Sequence, residues 1–460
     1  MGAYLVSEIR TDRLGTERIS KLLRELSVPA ILGMIINATY NVVDGIFIGR
    51  GVGKEALAGI TVAFPVNMVS FAVIVMLATG GSALFSIYLG QRDYEKASYC
   101  VGNSYTLAGL MLGSLILLVL LFMNSILQAF GGSGEVLNYA GQYLGFVLPF
   151  HLVLGYQVLW ENFTRAEGNA RVAMRSMMLT SILNIALDYL FIMRFGWGVR
   201  GAAIATGIAQ VVGTIYLARY VFLNSRRLVV ARKYLILQKD VVRSILGIGV
   251  SAFARQTTFS LQALILNNMV VAYGGDLGLA ILGVLARIFT FMVLPIFGVV
   301  QGMRPILSYN YGAKKMKRAR ETVKLSILWA TGVLVIGFLG TQLLATQILS
   351  IFTEDAEMIR EGARVLRICT LVFPIISVQM VGSASFQSLG RPVLALVFSV
   401  IRQILLFIPL VLVLPHFMGF DGIWWTYPIS DVLAMLATGV VLVREMRKMR
   451  DDEGRIALKQ

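Results

Sequence analysis

The chain is poor in charge and nearly without the residues that metal and covalent chemistry use. Of 460 residues two are histidine and two cysteine, and 14% are Asp, Glu, Lys or Arg. His151 and His416 have no metal partner near them in sequence, and no nucleophile–base arrangement is visible, so an enzyme and a metal site are not expected. Cys100 and Cys369 lie far apart beside apolar segments, without zinc or redox spacing, and are assigned to packing. A short basic-apolar-small leader pattern is missing, and the first long apolar run is of full membrane length. No soluble basic domain exists that would bind nucleic acid, so the formal net charge of +16 needs another cause.

What is present is apolar. Hydrophobic residues make up 57% of the chain and the mean hydropathy is +0.76, which no ordinary polar surface could cover. The fold class that follows is an all-α polytopic membrane protein. Spans are predicted near 27–49, 58–89, 98–123, 136–164, 171–193, 201–223, 244–272, 279–308, 322–349, 362–388, 393–415 and 422–443. Each is long enough to cross about 30 Å at about 1.5 Å per residue. The N-terminal arm, the C-terminal tail and alternate loops hold about 29 Lys and Arg, whereas the opposite loops hold about 5. Under the positive-inside rule both termini are cytoplasmic.

The basic connection SRRLVVARKYLILQKDVVR at 225–243 separates an N-terminal lobe at 1–224 from a C-terminal lobe at 244–460, which ends in a basic tail. Across it, Gly53 pairs with Gly275, Gly90 with Gly312 and Gly168 with Gly390 at one fixed offset, which Ala97 and Ala319, and Glu135 and Glu357, also keep. The matched glycines fall in equivalent loops, where a turn needs Gly for backbone reasons. Six plus six helices in one orientation imply parallel repeats about an axis along the membrane normal, with a cavity between the lobes.

Acids inside the spans are the sharpest functional signal. An ionised Asp at membrane depth costs roughly 2.5–3.5 kcal/mol on insertion scales and usually faces a bundle interior or a wet cavity. Asn37, Asn41 and Asp44 follow an i, i+4, i+7 pattern in the first span, with Tyr40 one turn before Asp44; Ser181, Asn184 and Asp188 form a like row, at i, i+3, i+7, in the fifth. Both acids lie about six residues, hence roughly 9 Å, below the outer edge of their spans, so they are placed to meet at one depth. Two such acids disfavour joint ionisation, and one is expected to hold an exchangeable proton. Glu161 stands four residues before Arg165, and an interfacial ion pair is its plainer reading. The second lobe offers Arg255, Gln256, Asn267, Asn268 and Arg287 in place of central acids, and Arg402 and Asp431 are expected to pair structurally. Pro29 shares the first span with Asp44, as a bending point or as a fixed kink. Met174, Met177, Met178, Met292 and Met303 suit an adaptable cavity, but most such residues simply face lipid or other helices.

The blocks YNVVDGIFIGRGVGKEALAG at 40–59, RAEGNARVAM at 165–174, NIALDYLFI at 184–192, GWGVRGAAIAT at 196–206 and SYNYGAKKMKRA at 308–319, in this order, resemble the multidrug and toxic compound extrusion (MATE) family. The sequence is most similar to its DinF-like and MepA-like prokaryotic branches. The resemblance covers nearly the whole chain. It implies a V-shaped pair of pseudo-symmetric six-helix bundles in a prokaryotic inner membrane, acting as a monomer. Small amphipathic, cationic organic compounds would be exported in exchange for H+ or Na+, with membrane lipids as surroundings and no other cofactor. The implied cation network is Tyr40, Asp44, Asn184, Asp188 and Thr206, with Pro29 as hinge. Where related proteins carry Asn in the fourth span, this chain has Gln157 and Glu161, which stand as accessory candidates beside Asn37 and Asn41. The alternative is a flippase of lipid-linked oligosaccharides from the same superfamily, for which Arg255 and Arg287 speak and the twelve-span count does not.

Overall fold

The computed structural model describes residues 12–52, 54–225 and 227–457; Gly53 and the side chain of Asn41 lie outside the description. Among the described residues all regular structure is helical. The first bundle comprises α1 (Ile19–Gly51), α2 (Lys54–Gln91), α3 (Tyr94–Leu121), α4 (Gly134–Ala166), α5 (Ala170–Asp188) and α6 (Gly198–Asn224). A continuous helical stretch, Lys239–Gly312, follows. At 74 residues it would be roughly 110 Å long if straight, far beyond a bilayer. It reverses at Gly275, whose φ of 54° only glycine adopts freely, and a Cβ on Gly278 would lie 3.1 Å from Val270. The stretch is therefore two crossings, α7 (239–274) and α8 (276–312), and the loop expected at 273–278 shrinks to one residue. α9 (Met316–Ser350), α10 (Ala356–Thr370 with Phe373–Ser388), α11 (Pro392–Met418) and α12 (Phe420–Ala457) complete twelve crossings. α10, expected as one span at 362–388, bends by 49°. Pro374 opens its second segment and cannot donate to the preceding turn.

The apolar core divides in a way that sets the shape. One cluster, holding Leu23, Ile74, Phe85, Phe163, Ile245, Ile306 and Phe386, is shared by both bundles in the half that carries the basic loops. Toward the opposite face it gives way to two separate cores, one around Val66, Leu144 and Leu148 and the other around Val270, Leu285 and Trp424. Among the described residues, the inter-bundle hydrogen bond nearest that opposite face runs from Gln256 Nε2 to Met68 Sδ, at 3.5 Å. The bundles are thus joined at the basic end and independent beyond mid-depth.

The joint obeys the repeat. A Cβ on Gly90 would lie 2.1 Å from the Tyr309 carbonyl oxygen, and a Cβ on Gly312 would lie 2.1 Å from that of Ile87. Ile87 and Tyr309 are separated by the same interval as the two glycines, so α2 and α8 cross about a pseudo-two-fold axis with their backbones in contact. Gly90 and Gly312 therefore serve close approach and not the turn that their position suggested. The left-handed turn residues after them are Arg92 (φ 61°) and Lys314 (φ 57°), again at the repeat offset. Gly168 and Gly390, by contrast, do adopt the positive φ expected of loop glycines.

Two further straps lie at the basic end. The arm before α1 is held by the second bundle: Asn310 Nδ2 donates to the Leu14 carbonyl at 2.8 Å, Lys315 Nζ to that of Gly15 at 2.8 Å, and Arg318 to that of Leu14 at 3.2 Å. The segment between the bundles is fastened to α3, where Asn103 donates to the carbonyls of Tyr234 and Ile236 and accepts from the amide of Gln238. Deeper in the second bundle Arg402 and Asp431 form the expected ion pair, with Asp431 1% exposed. Arg402 lies in a π-helical segment of α11, Ile401–Phe407.

Gly90→Val and Gly312→Val should each lower the unfolding free energy by about 1–3 kcal/mol through overpacking, by similar amounts because the sites are pseudo-equivalent. Gly113→Val, with nothing within 4 Å of the added carbon, is the neutral control. Melting of the detergent-solubilised variants measures all three. By the same assay Asp431→Asn, which strands the Arg402 charge, should cost about 3–5 kcal/mol, and Arg402→Met/Asp431→Leu should cost clearly less.

Candidate cation-coupling site

The site is built where α1 and α5 pass each other toward the face opposite the basic loops. Each is an apolar helix that carries a polar row at helical spacing, and packing turns the two rows together. Asp188 is the last residue of regular α5 and is fully buried; the next six residues, Tyr189–Arg194, are π-helical. Such a widened turn shifts the helical register and is frequent at functional positions. Asp44 lies half-buried on α1, and the Asp44 and Asp188 side chains come within hydrogen-bonding reach of each other.

Among the described residues, three of the four carboxyl oxygens meet no donor. Asp44 Oδ1 and both carboxyl oxygens of Asp188 are buried without a hydrogen-bond partner, as are Asn184 Oδ1 and Ser181 Oγ. Two carboxylates facing each other are acceptors only, so the arrangement is complete only when a proton or a small cation lies between them. Beside them Asn184 Nδ2 donates to Thr206 Oγ1 of α6 at 3.2 Å, which fixes the amide so that its oxygen is turned from that bond. Among the described residues no group of three or more His, Cys, Asp and Glu side chains gathers as a metal cage would.

Five residues singled out in the sequence thus fall into two contacts and a flank: Asp44 with Asp188, Asn184 with Thr206, and Tyr40. Tyr143 of α4 was missed. It lies within electrostatic range of Tyr40, Asp44 and Asp188 together. Its depth is the signal that would have found it, because it stands nine residues inside the start of α4, close to the depth of both acids. Asn37 is half-buried on the same helix as Asp44, and Pro29 is buried inside α1, fifteen residues nearer the basic end.

Gln157 and Glu161 belong to a different group. Gln157 Nε2 donates to Glu161 Oε1 at 3.2 Å and to Thr180 Oγ1 of α5 at 3.0 Å. Glu161 is 5% exposed and 3.9 Å from Arg165, so the pair is buried and loose where an interfacial one was expected. Thr180 is eight residues, or roughly 12 Å, before Asp188 along α5, which sets this group two turns away from the acid pair.

The MatE family model matches residues 29–190 and 252–413, two stretches of equal length with one in each bundle. The multidrug export protein MepA of Staphylococcus saprophyticus is 25% identical over 92% of this chain and 93% of its own, and MepA of Staphylococcus aureus gives the same figures. An outward-facing multidrug-resistance MATE transporter of the MOP superfamily superposes with a TM-score of 0.90 at 25% identity, covering 95% of this chain and 98% of that one. With both halves matched by the family model, and with the same twelve-crossing, two-bundle fold, the chain belongs to the MATE family and is a multi-pass membrane transporter, not an enzyme.

Proposed function

We propose that the chain is a monomeric secondary antiporter of a prokaryotic cytoplasmic membrane, with both termini in the cytoplasm. It exports small, amphipathic, cationic organic compounds in exchange for H+ or Na+. The multidrug export proteins named MepA support small organic substrates, and the excess of Lys and Arg at the end that carries the termini supports the orientation. One observation carries the coupling: two carboxyl groups on helices distant in sequence face each other with buried, unpartnered oxygens.

In this reading Asp44 and Asp188 hold the coupling cation. Asn184, oriented by Thr206, turns its carbonyl oxygen toward it, and Tyr40 and Tyr143 supply hydroxyls. Asn37 and Ser181 line the approach. Gln157, Glu161 and Arg165 hold α4 to α5 and take no cation. An empty pair repels across the α1–α5 contact, and a filled one attracts, so occupancy biases the packing of α1. Pro29 lies where α1 leaves the shared core, and at this point the helix lacks one backbone hydrogen bond and bends at least cost. If the bend narrows the space between the bundles, cation and organic substrate disfavour each other to the same degree, which is antiport.

Asp44→Asn and Asp188→Asn should each abolish gradient-driven efflux from proteoliposomes while melting stays near that of the parent. Imposing pH and sodium gradients separately identifies the coupling ion in the same assay. Full transport by the double Asn variant would sink the proposal. Tyr143→Phe removes one hydroxyl and should slow coupled efflux about fivefold to tenfold, the size of one hydrogen bond of about 1 kcal/mol. An unchanged rate would exclude that tyrosine from the site.

A further inference from the structure

Between the bundles, near the basic end, α2, α4 and α8 line a small, partly open cavity of about 20 Å³. Ser82 and Ser86 come from α2, Asn162 and Arg165 from α4, and Arg304 and Ser308 from α8. Arg304 lies eight residues before the end of α8, hence roughly 12 Å inside.

The wall carries more positive charge than its neighbours neutralise. Arg165 is 7% exposed; its Nε has no partner, and its one acidic neighbour, Glu161 at 3.9 Å, also accepts from Gln157. Arg304 bonds only neutral groups, the amide oxygens of Gln387 at 2.8 Å and Gln301 at 3.5 Å, and its Nε is buried and unpartnered. Arg255 lies within electrostatic range of Arg304, packs over the Phe297 ring at 5.8 Å, and pairs with no carboxylate among the described residues. Three guanidinium groups therefore stand against one carboxylate, Arg165 and Arg304 in the cavity wall and Arg255 behind it. Buried charge of one sign at this density calls for a counter-ion.

The repeat shows why the hollow is one-sided. Ser82 and Arg304 are repeat counterparts, and so are Ser86 and Ser308, which places the cavity at the pseudo-axis. The counterpart of Arg165 is Gln387, which closes its own side by accepting from Arg304. On the Arg165 side no such bond forms, and the space stays open.

We propose that this cavity is a phosphate-binding site, in which Arg165 of one bundle and Arg304 of the other grip a phosphate oxyanion with help from the Ser86 hydroxyl. Guanidinium groups bind tetrahedral oxyanions through paired N–H donors, and the excess of two positive charges matches the roughly −1.5 to −2 of a phosphate monoester near neutral pH. A lipid headgroup and free inorganic phosphate present the same chemistry. The site needs a side chain from each bundle, so its ligand favours the joined state and is released when the bundles part at this end. Nothing in it depends on the acid pair of α1 and α5.

The test uses full-length protein in phosphatidylcholine nanodiscs without phosphate buffer, titrated with inorganic phosphate, with dihexanoyl phosphatidic acid and with dihexanoyl phosphatidylcholine while tryptophan fluorescence and melting temperature are followed. Saturable stabilisation by inorganic phosphate assigns the free ion; saturation by phosphatidic acid alone assigns a lipid headgroup. Arg304→Gln should weaken binding at least tenfold, and Arg304→Lys less. Arg287→Gln, which removes an exposed guanidinium elsewhere, should leave it unchanged. Ser86→Leu, which fills the cavity and keeps every charge, should abolish binding and serves if the Arg304 variants do not fold. Stabilisation by neither phosphate probe, equal stabilisation by phosphatidylcholine, or undiminished binding in Ser86→Leu would overturn the assignment.

Discussion

The structure depends on a backbone contact. α2 and α8 touch at Gly90 and Gly312 with no side chain between them, and their symmetry places that contact on the axis that relates the bundles. Close approach there brings the ends of two long helices together and lets one apolar core serve both bundles. Beyond mid-depth each bundle must have a core of its own. The diverging shape follows from this change from one core to two. A larger residue at either glycine would force the helices apart and reduce the shared core along its whole length.

Polar groups are spent sparingly in such a body, and where they gather they gather for different reasons. In the second bundle Arg402 and Asp431 neutralise each other through Asp431 Oδ1, and only Oδ2 is left without a partner. In the first bundle the acids of α1 and α5 meet without a counter-charge, an arrangement that costs stability unless something enters. The arginines near the axis have the opposite imbalance. Unequal lobes on one repeat thus divide the chemistry: acids in one bundle, basic groups at the joint, and a neutralised pair in the other bundle.

Much of this was legible in the sequence because its causes are local or periodic. Apolar run length fixes crossings, and polar rows at helical spacing put Asp44 and Asp188 on helix faces that had to turn inward. The constant spacing of the paired glycines announced the repeat, and the structure extends it to Arg92 and Lys314, which no composition argument singles out. What could not be read depends on tertiary approach. Gly90 and Gly312 looked like turn residues because their partners, the carbonyls of Tyr309 and Ile87, each lie in the opposite half of the chain. Tyr143 carries no sequence signal except its depth, and the fold alone brings it beside the acids. The reversal at Gly275 was legible, but not that it takes a single residue, because helical backbone resumes at once on both sides of it.

The fastening of residues 234–238 to Asn103 has a mechanical consequence. A connection of this length, if slack, would let the two halves drift through wide angles and leave their relative motion undefined. Pinned to α3 by four hydrogen bonds, three at Asn103 and one from Thr106 to the Leu235 carbonyl, it acts as part of the first bundle up to Gln238, and α7 begins at the very next residue. Rotation of one half against the other is thereby confined to a pivot about one peptide long, so the excursion is short, directed and repeatable from cycle to cycle.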